Sequence, residues 1–235
     1  MKKDQFEKET VRNLQLEIAC GDFKIAASQD DRILIEAENT EGGDYTCRIE
    51  GDALYVGYHV NPHLAKWDHT RIVLYLPQNM ELFQIFIKNG AGRLMIQKED
   101  LLCQEMDLEI GAGTMEVCSH VTTENLRVQV GAGNVELRNV TAKRMKAKCG
   151  VGAFSMCGSI EGDIDVDCGM GKCDLKLNEK EDSYSYQIAC ALGSVSVNGN
   201  ATGGFGSKQC WSNSGSKGVI SLKCGLGQIS LRTGI

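Results

Sequence analysis

The sequence has little of what interrupts a continuous β-fold. Of 235 residues only two are proline, and aromatic residues make up 6%. So few prolines leave backbone N–H groups free for long ladders, and so few aromatics confine the core to small and medium aliphatic side chains. No run of 18 apolar residues occurs, which rules out a membrane-spanning helix. Helical spacing of apolar residues is missing too: the one candidate, Lys2 to Val11, is polar and is expected to be a leader (residues 1–12) or a cap. Basic residues are not in excess, at 25 Lys and Arg against 31 Asp and Glu, and a net charge of -6 excludes nucleic-acid binding as a main activity. Eleven cysteines include no CxxC pair, so neither structural zinc nor any other cofactor is expected. The opening MKKDQFEKE has two lysines but no apolar segment after them, which predicts a cytoplasmic protein with reduced cysteines, peripheral envelope association being the alternative.

What the sequence does have is a repeat. GAG at Gly90–Gly92, Gly111–Gly113 and Gly131–Gly133 is followed by GVG at Gly150–Gly152, GMG at Gly169–Gly171, ALG ending at Gly193 and GLG at Gly225–Gly227. The intervals are 21, 20, 19, 19, 22 and 34 residues. A fixed period near 20 means one small unit stacked many times, each burying an apolar face it could not bury alone. In LRVQVGAGNVEL, Leu126, Val128 and Val130 alternate with polar residues, and the inward set resumes at Val135 and Leu137. That parity slip marks a corner, where glycine is expected to supply positive φ and close backbone approach. The offsets recur in every unit, and Leu14, Leu16, Ile18, Phe23 and Ile25 repeat them near the N-terminus. An antiparallel meander would share the alternation but would not need a glycine corner at one phase. The expectation is therefore an all-β, single-domain parallel β-helix over residues 1–235, with coils of about 20 residues. Residues 13–80 should form the N-terminal coil and capping strands, 81–197 the regular repeats, and 198–235 an irregular loop followed by the final coil.

Outward ladders such as Asp107, Arg127, Lys146, Asp165 place opposite charges on adjacent coils and fit parallel stacking. Cys149, Cys168, Cys190 and Cys224 share one inward phase and Cys173 another, so they read as core residues, whereas Cys118 and Cys157 face outward. The stripe Glu161, Asp163, Asp165, Asp167 is the best enzymatic or cation-binding constellation, yet Lys146 and Lys148 on the next coil neutralise it and short turns build no groove around it. HVNPHLAKWDHT gathers His59, His63, Asp68 and His69, but Pro62 argues against the helix that HxxxH needs to converge on a metal, leaving an exposed loop that carries Trp67. The Gly-, Ser- and Asn-rich stretch from Asn198 to Gly218 holds Phe205 and Trp211, which either plug the core or form, with Trp67, a partner surface.

The N-terminal LQLEIACGDFKI, the strand RIVLYLP, and units such as LEIGAGTMEV and VQVGAGNVEL resemble the bacterial putative-adhesin families of unknown function over about residues 10 to 235. The resemblance implies a right-handed β-solenoid with a non-enzymatic surface or envelope role and brings no functional residues with it. The function expected is a non-catalytic scaffold that binds an unknown protein or surface partner. One alternative is a self-assembling, bactofilin-like solenoid, a homo-oligomer joined through its terminal coils, of which Ile229 and Leu231 would form the thinly covered last one. A carbohydrate-active β-helix enzyme is the other.

Overall fold

The computed structural model describes residues 1–61, 70–203 and 205–234. The described residues form a stack of nine coils whose strands pair in parallel. In chain order the coils are 1 (strands Asn13–Ile18 and Asp22–Ala27), 2 (Ala53–Val60 and Arg71–Leu76) and 3 (Glu81–Asn89 and Arg93–Gln97), then 4 to 9, spanning 100–117, 120–137, 140–156, 160–177, 184–197 and 218–233. In the middle of the stack each coil has three faces, seen in the separate ladders of 105–110, 114–117 and 120–123. Alternation carries Leu108, Val128, Ala147 and Val166 inward in one column, all buried.

The coils do not stack in the order of the chain. Coil 1 lies between coils 2 and 3, for Leu14 is partnered by Leu54 on one side and Ile85 on the other. Coil 9 lies between coils 7 and 8 in the same way, with Leu222 beside both Val166 and Ile188. The spatial order is 2, 1, 3, 4, 5, 6, 7, 9, 8. Ile229 and Leu231 are therefore interior and fully buried, which corrects the expectation of an exposed final coil. The coils that do end the stack carry large inward aromatics, Tyr58 in coil 2 and Tyr184 and Tyr186 in coil 8, which close the prism where no further coil supplies side chains.

Antiparallel strands cover both ends. Gly43–Glu50 pairs with Ala53–Val60, and Arg32–Glu38 with Arg71–Leu76. Of the two readings of residues 2–7 the cap holds: Lys2–Glu7 is a strand paired with Arg32–Glu38, and its charged Lys2, Lys3, Asp4 and Glu7 suit an outermost edge. At the other end Ser207–Trp211 pairs with Tyr184–Cys190 and Asn200–Gly203 with Ser194–Val197. The 34-residue interval before the last glycine corner is this excursion outward to cap coil 8 and back to fill the slot beside it.

The corners correct one half of a second expectation, positive φ, and bear out the other, close backbone approach. None of the thirteen GxG and ALG glycines has positive φ; that conformation falls instead at Gly21, Gly51, Gly158, Gly199, Gly206, Gly215 and Gly234. Space alone explains them. A Cβ on Gly133 would stand 2.2 Å from the carbonyl oxygen of Gly113, and one on Gly152 1.9 Å from that of Gly133. The inward residue before each corner points at the next one, and that explains the polar exception in the core: buried Asn89 donates to the carbonyls of Gly92 at 2.9 Å and Thr114 at 3.4 Å. Cys149 stands in the same column and its thiol donates to the Gly152 carbonyl at 3.2 Å.

Candidate binding surface

Because the glycines on either side have no side chain, the middle residue of each corner stands alone. Its N–H donates to the first corner carbonyl of the coil below: Ala112 to Gly90, Ala132 to Gly111, Val151 to Gly131, Met170 to Gly150, Leu226 to Gly169 and Leu192 to Gly225, all at 2.7 to 2.9 Å. These bonds hold the middle residues in one line. Along the stack the line grows from alanine to Val151, Met170, Leu226 and Leu192, each 58 or 59% exposed. Gly206 donates to the Ala191 carbonyl at 2.6 Å and brings Phe205, 84% exposed, beside the end of the row. Reading the motif as GxG hid this ridge, since its signal is the variable letter.

The aromatic residues expected at a partner surface separate. Trp211 is half-buried and stacks on Tyr186, with ring centroids 4.6 Å apart and planes at 18°, so it serves the cap. Phe205 remains available. Trp67, with His63, Asp68 and His69, lies outside the described residues, as does the metal reading of that loop.

The acidic stripe does not hold together. Asp163 accepts the Val219 N–H at 2.9 Å, Asp165 stands 4.0 Å from Lys146, and Asp167 lies between Lys148 and Lys223 in the ladder. Glu161 belongs elsewhere, in a shallow groove of about 580 Å³ lined also by Phe83, Leu102, Thr122, Thr141 and Lys143. One arrangement that sequence reading missed deserves a chemical test: His120 Nδ1 is 3.3 Å from Asp100, and its Nε2 is 3.4 Å from the Thr141 hydroxyl. The order imitates a nucleophile relay, but the contacts are long, the carboxylate and imidazole are largely solvated, and the parallel ladders on both sides occupy that face's backbone.

Cysteine placement gives a direct check on the geometry. Cys118 and Cys210 are exposed, Cys20, Cys47 and Cys157 half-buried, and the other six buried. Burial also pushes the Cys47 thiol up to about 12, so its reactive thiolate is scarce. Alkylation of the native protein is expected to label Cys118 and Cys210 first, read by peptide mass spectrometry. Early labelling of Cys190 or Cys224 would contradict the stack.

Residues 48–231 match the protein family described as Toastrack DUF4097. Among solved structures, a putative lipid binding protein from Parabacteroides distasonis is 12% identical, with 99% of this chain and 96% of that one covered at a TM-score of 0.51. A putative adhesin from the same organism is 10% identical with the same coverage and TM-score. A putative adhesin from Bacteroides fragilis is 13% identical over 98% of this chain and 96% of its own, at a TM-score of 0.49. No curated protein sequence matches the chain.

Proposed function

The chain belongs to the Toastrack DUF4097 family, and from that premise we propose that it is a non-catalytic β-solenoid scaffold holding a partner protein along its apolar corner ridge. The two structural neighbours at a TM-score of 0.51 are named as a putative lipid binding protein and a putative adhesin, not as enzymes. The observation that carries the reading is the unbroken row Val151, Met170, Leu226, Leu192, Phe205. Single exposed apolar residues are ordinary, but a row spanning roughly 20 Å at the 4.8 Å spacing of stacked strands is not. The row is one side chain wide with bare backbone beside it, a shape that fits an apolar groove on another protein better than a flat bilayer. The self-assembly alternative needs uncovered terminal coils, and both carry antiparallel strands. The carbohydrate-active alternative needs the acidic stripe in a groove floor, and the stripe is divided between a ladder and a different groove.

The test is a photo-crosslinking residue placed at Leu226 or Leu192, compared with one at Arg127 on another face, in the cells that encode the protein. The ridge positions are expected to give a discrete protein adduct that Arg127 does not. Met170→Lys with Leu192→Lys should abolish it while changing stability by no more than about 0.5 kcal/mol per site. Equal adducts from both faces, or none, would defeat the proposal. So would ridge-dependent flotation with phosphatidylcholine vesicles, which would make the surface a membrane site.

A further inference from the structure

Beneath the ridge, the sulfurs of Cys149, Cys168 and Cys173 all lie within 4.8 Å of one another, and all three residues are buried. We propose that these three thiols form a binding site for a single soft metal ion of the Cu(I) type. The fold makes the cluster from two columns. Cys149 and Cys168 are register partners on adjacent coils, and Cys173 enters from across the corner formed by Gly169–Gly171.

The spacing fits the chemistry. Three thiolates each about 2.3 Å from a shared ion in a trigonal plane stand about 4 Å apart, so the sulfurs need to close by less than an ångström. No His, Asp or Glu completes the group among the described residues. Zinc asks for a fourth ligand, which a dry core does not offer as water. Cu(I) is content with two or three sulfur donors, and thiolates select it. Loading involves no electron transfer: two thiol protons leave as Cu(I) enters, two sulfurs bind as thiolates, and the third binds as a neutral thiol. That leaves one net negative charge in the core instead of the two that three thiolates would leave. Met170, the exposed middle residue of the corner, lies in the chain between Cys168 and Cys173.

The test uses the reduced full-length protein, titrated without oxygen with Cu(I) supplied as its acetonitrile complex. One equivalent is expected to bind, with a near-ultraviolet thiolate-to-copper band, and to resist bicinchoninate at concentrations that strip surface thiols. Cys168→Val and Cys173→Val should each weaken binding at least tenfold. Valine already occurs in both columns, at Val130 and Val135, so both variants should keep the β-sheet circular dichroism of the parent. Cys118→Ser with Cys210→Ser should bind as the parent does. A second measurement needs no variant: Cu(I) should protect Cys149, Cys168 and Cys173 from alkylation in mild denaturant and leave Cys103 unprotected. Binding that survives both valine variants, binding lost with Cys118 and Cys210, or no protection would overturn the site. Displacement of Cu(I) by one equivalent of Zn(II) would overturn the class of ion.

Discussion

Removing residues 218–235 is expected to abolish cooperative folding of the C-terminal third of the protein. In a solenoid stacked in chain order, loss of the last coil exposes one face and leaves the others intact. Here coil 9 fills the slot between coils 7 and 8, and its loss separates coil 8 and its cap from everything beneath. Ile220, Leu222, Ile229 and Leu231 are fully buried, and burying an aliphatic side chain contributes about 1.5 to 3 kcal/mol. Four of them match the whole stability of an ordinary domain, about 5 to 15 kcal/mol. The truncated chain should therefore lose the sharp final part of its melting transition, and the emission of Trp211, stacked on Tyr186 in coil 8, should shift to that of solvated indole. Limited proteolysis should cut just after Leu177, where coil 7 ends. A truncated protein that melts within a few degrees of the parent, with Trp211 still protected, would show that coil 9 is not inserted.

The repeat itself was legible because burial on one face at a period of two, broken at one phase of a 20-residue interval, has few other physical causes. Stack order was not legible. Coils 1 and 9 carry the same inward pattern as their neighbours, so alternation fits them equally well at an end or one place further in; the clue was that the buried tyrosines, Tyr58, Tyr184 and Tyr186, all fall in the coils that end the stack. Of the two reasons expected for the corner glycines, close backbone approach holds and positive φ does not, since the pattern records that a side chain is forbidden and not whether φ or crowding forbids it. For the candidate surface the missing step was smaller. Val151, Met170, Leu192 and Leu226 were in plain view as the middle letters of the motif, and only the hydrogen bonds across coils show that they form a line. The thiol cluster needed three dimensions, because Cys173 belongs to a different column from Cys149 and Cys168 and meets them only where the chain turns.

Gly152→Val tests the crowding account of the corners, and its effect should exceed that of the equivalent change one position class away. Valine at 152 would place Cβ 1.9 Å from the Gly133 carbonyl oxygen and 2.9 Å from the backbone carbons of Ala132 and Gly133. None of these can move without breaking the corner hydrogen bond from Ala153 N–H to Gly133, 2.9 Å long. The expected cost is above about 4 kcal/mol, the range reserved for collisions and lost core structure. At Gly131 the nearest contact is milder, 2.8 Å from the Gly111 carbonyl oxygen, and Gly131→Val should cost roughly 1 to 3 kcal/mol. Between them, Ala132→Val puts the same side chain where Val151 stands on the next coil, exposed and unopposed, and should change stability by no more than about 0.5 kcal/mol. Urea unfolding of the three variants measures the series directly. If Gly152→Val were no worse than Gly131→Val, backbone conformation and not the approach of the neighbouring coil would be what the repeated glycines supply.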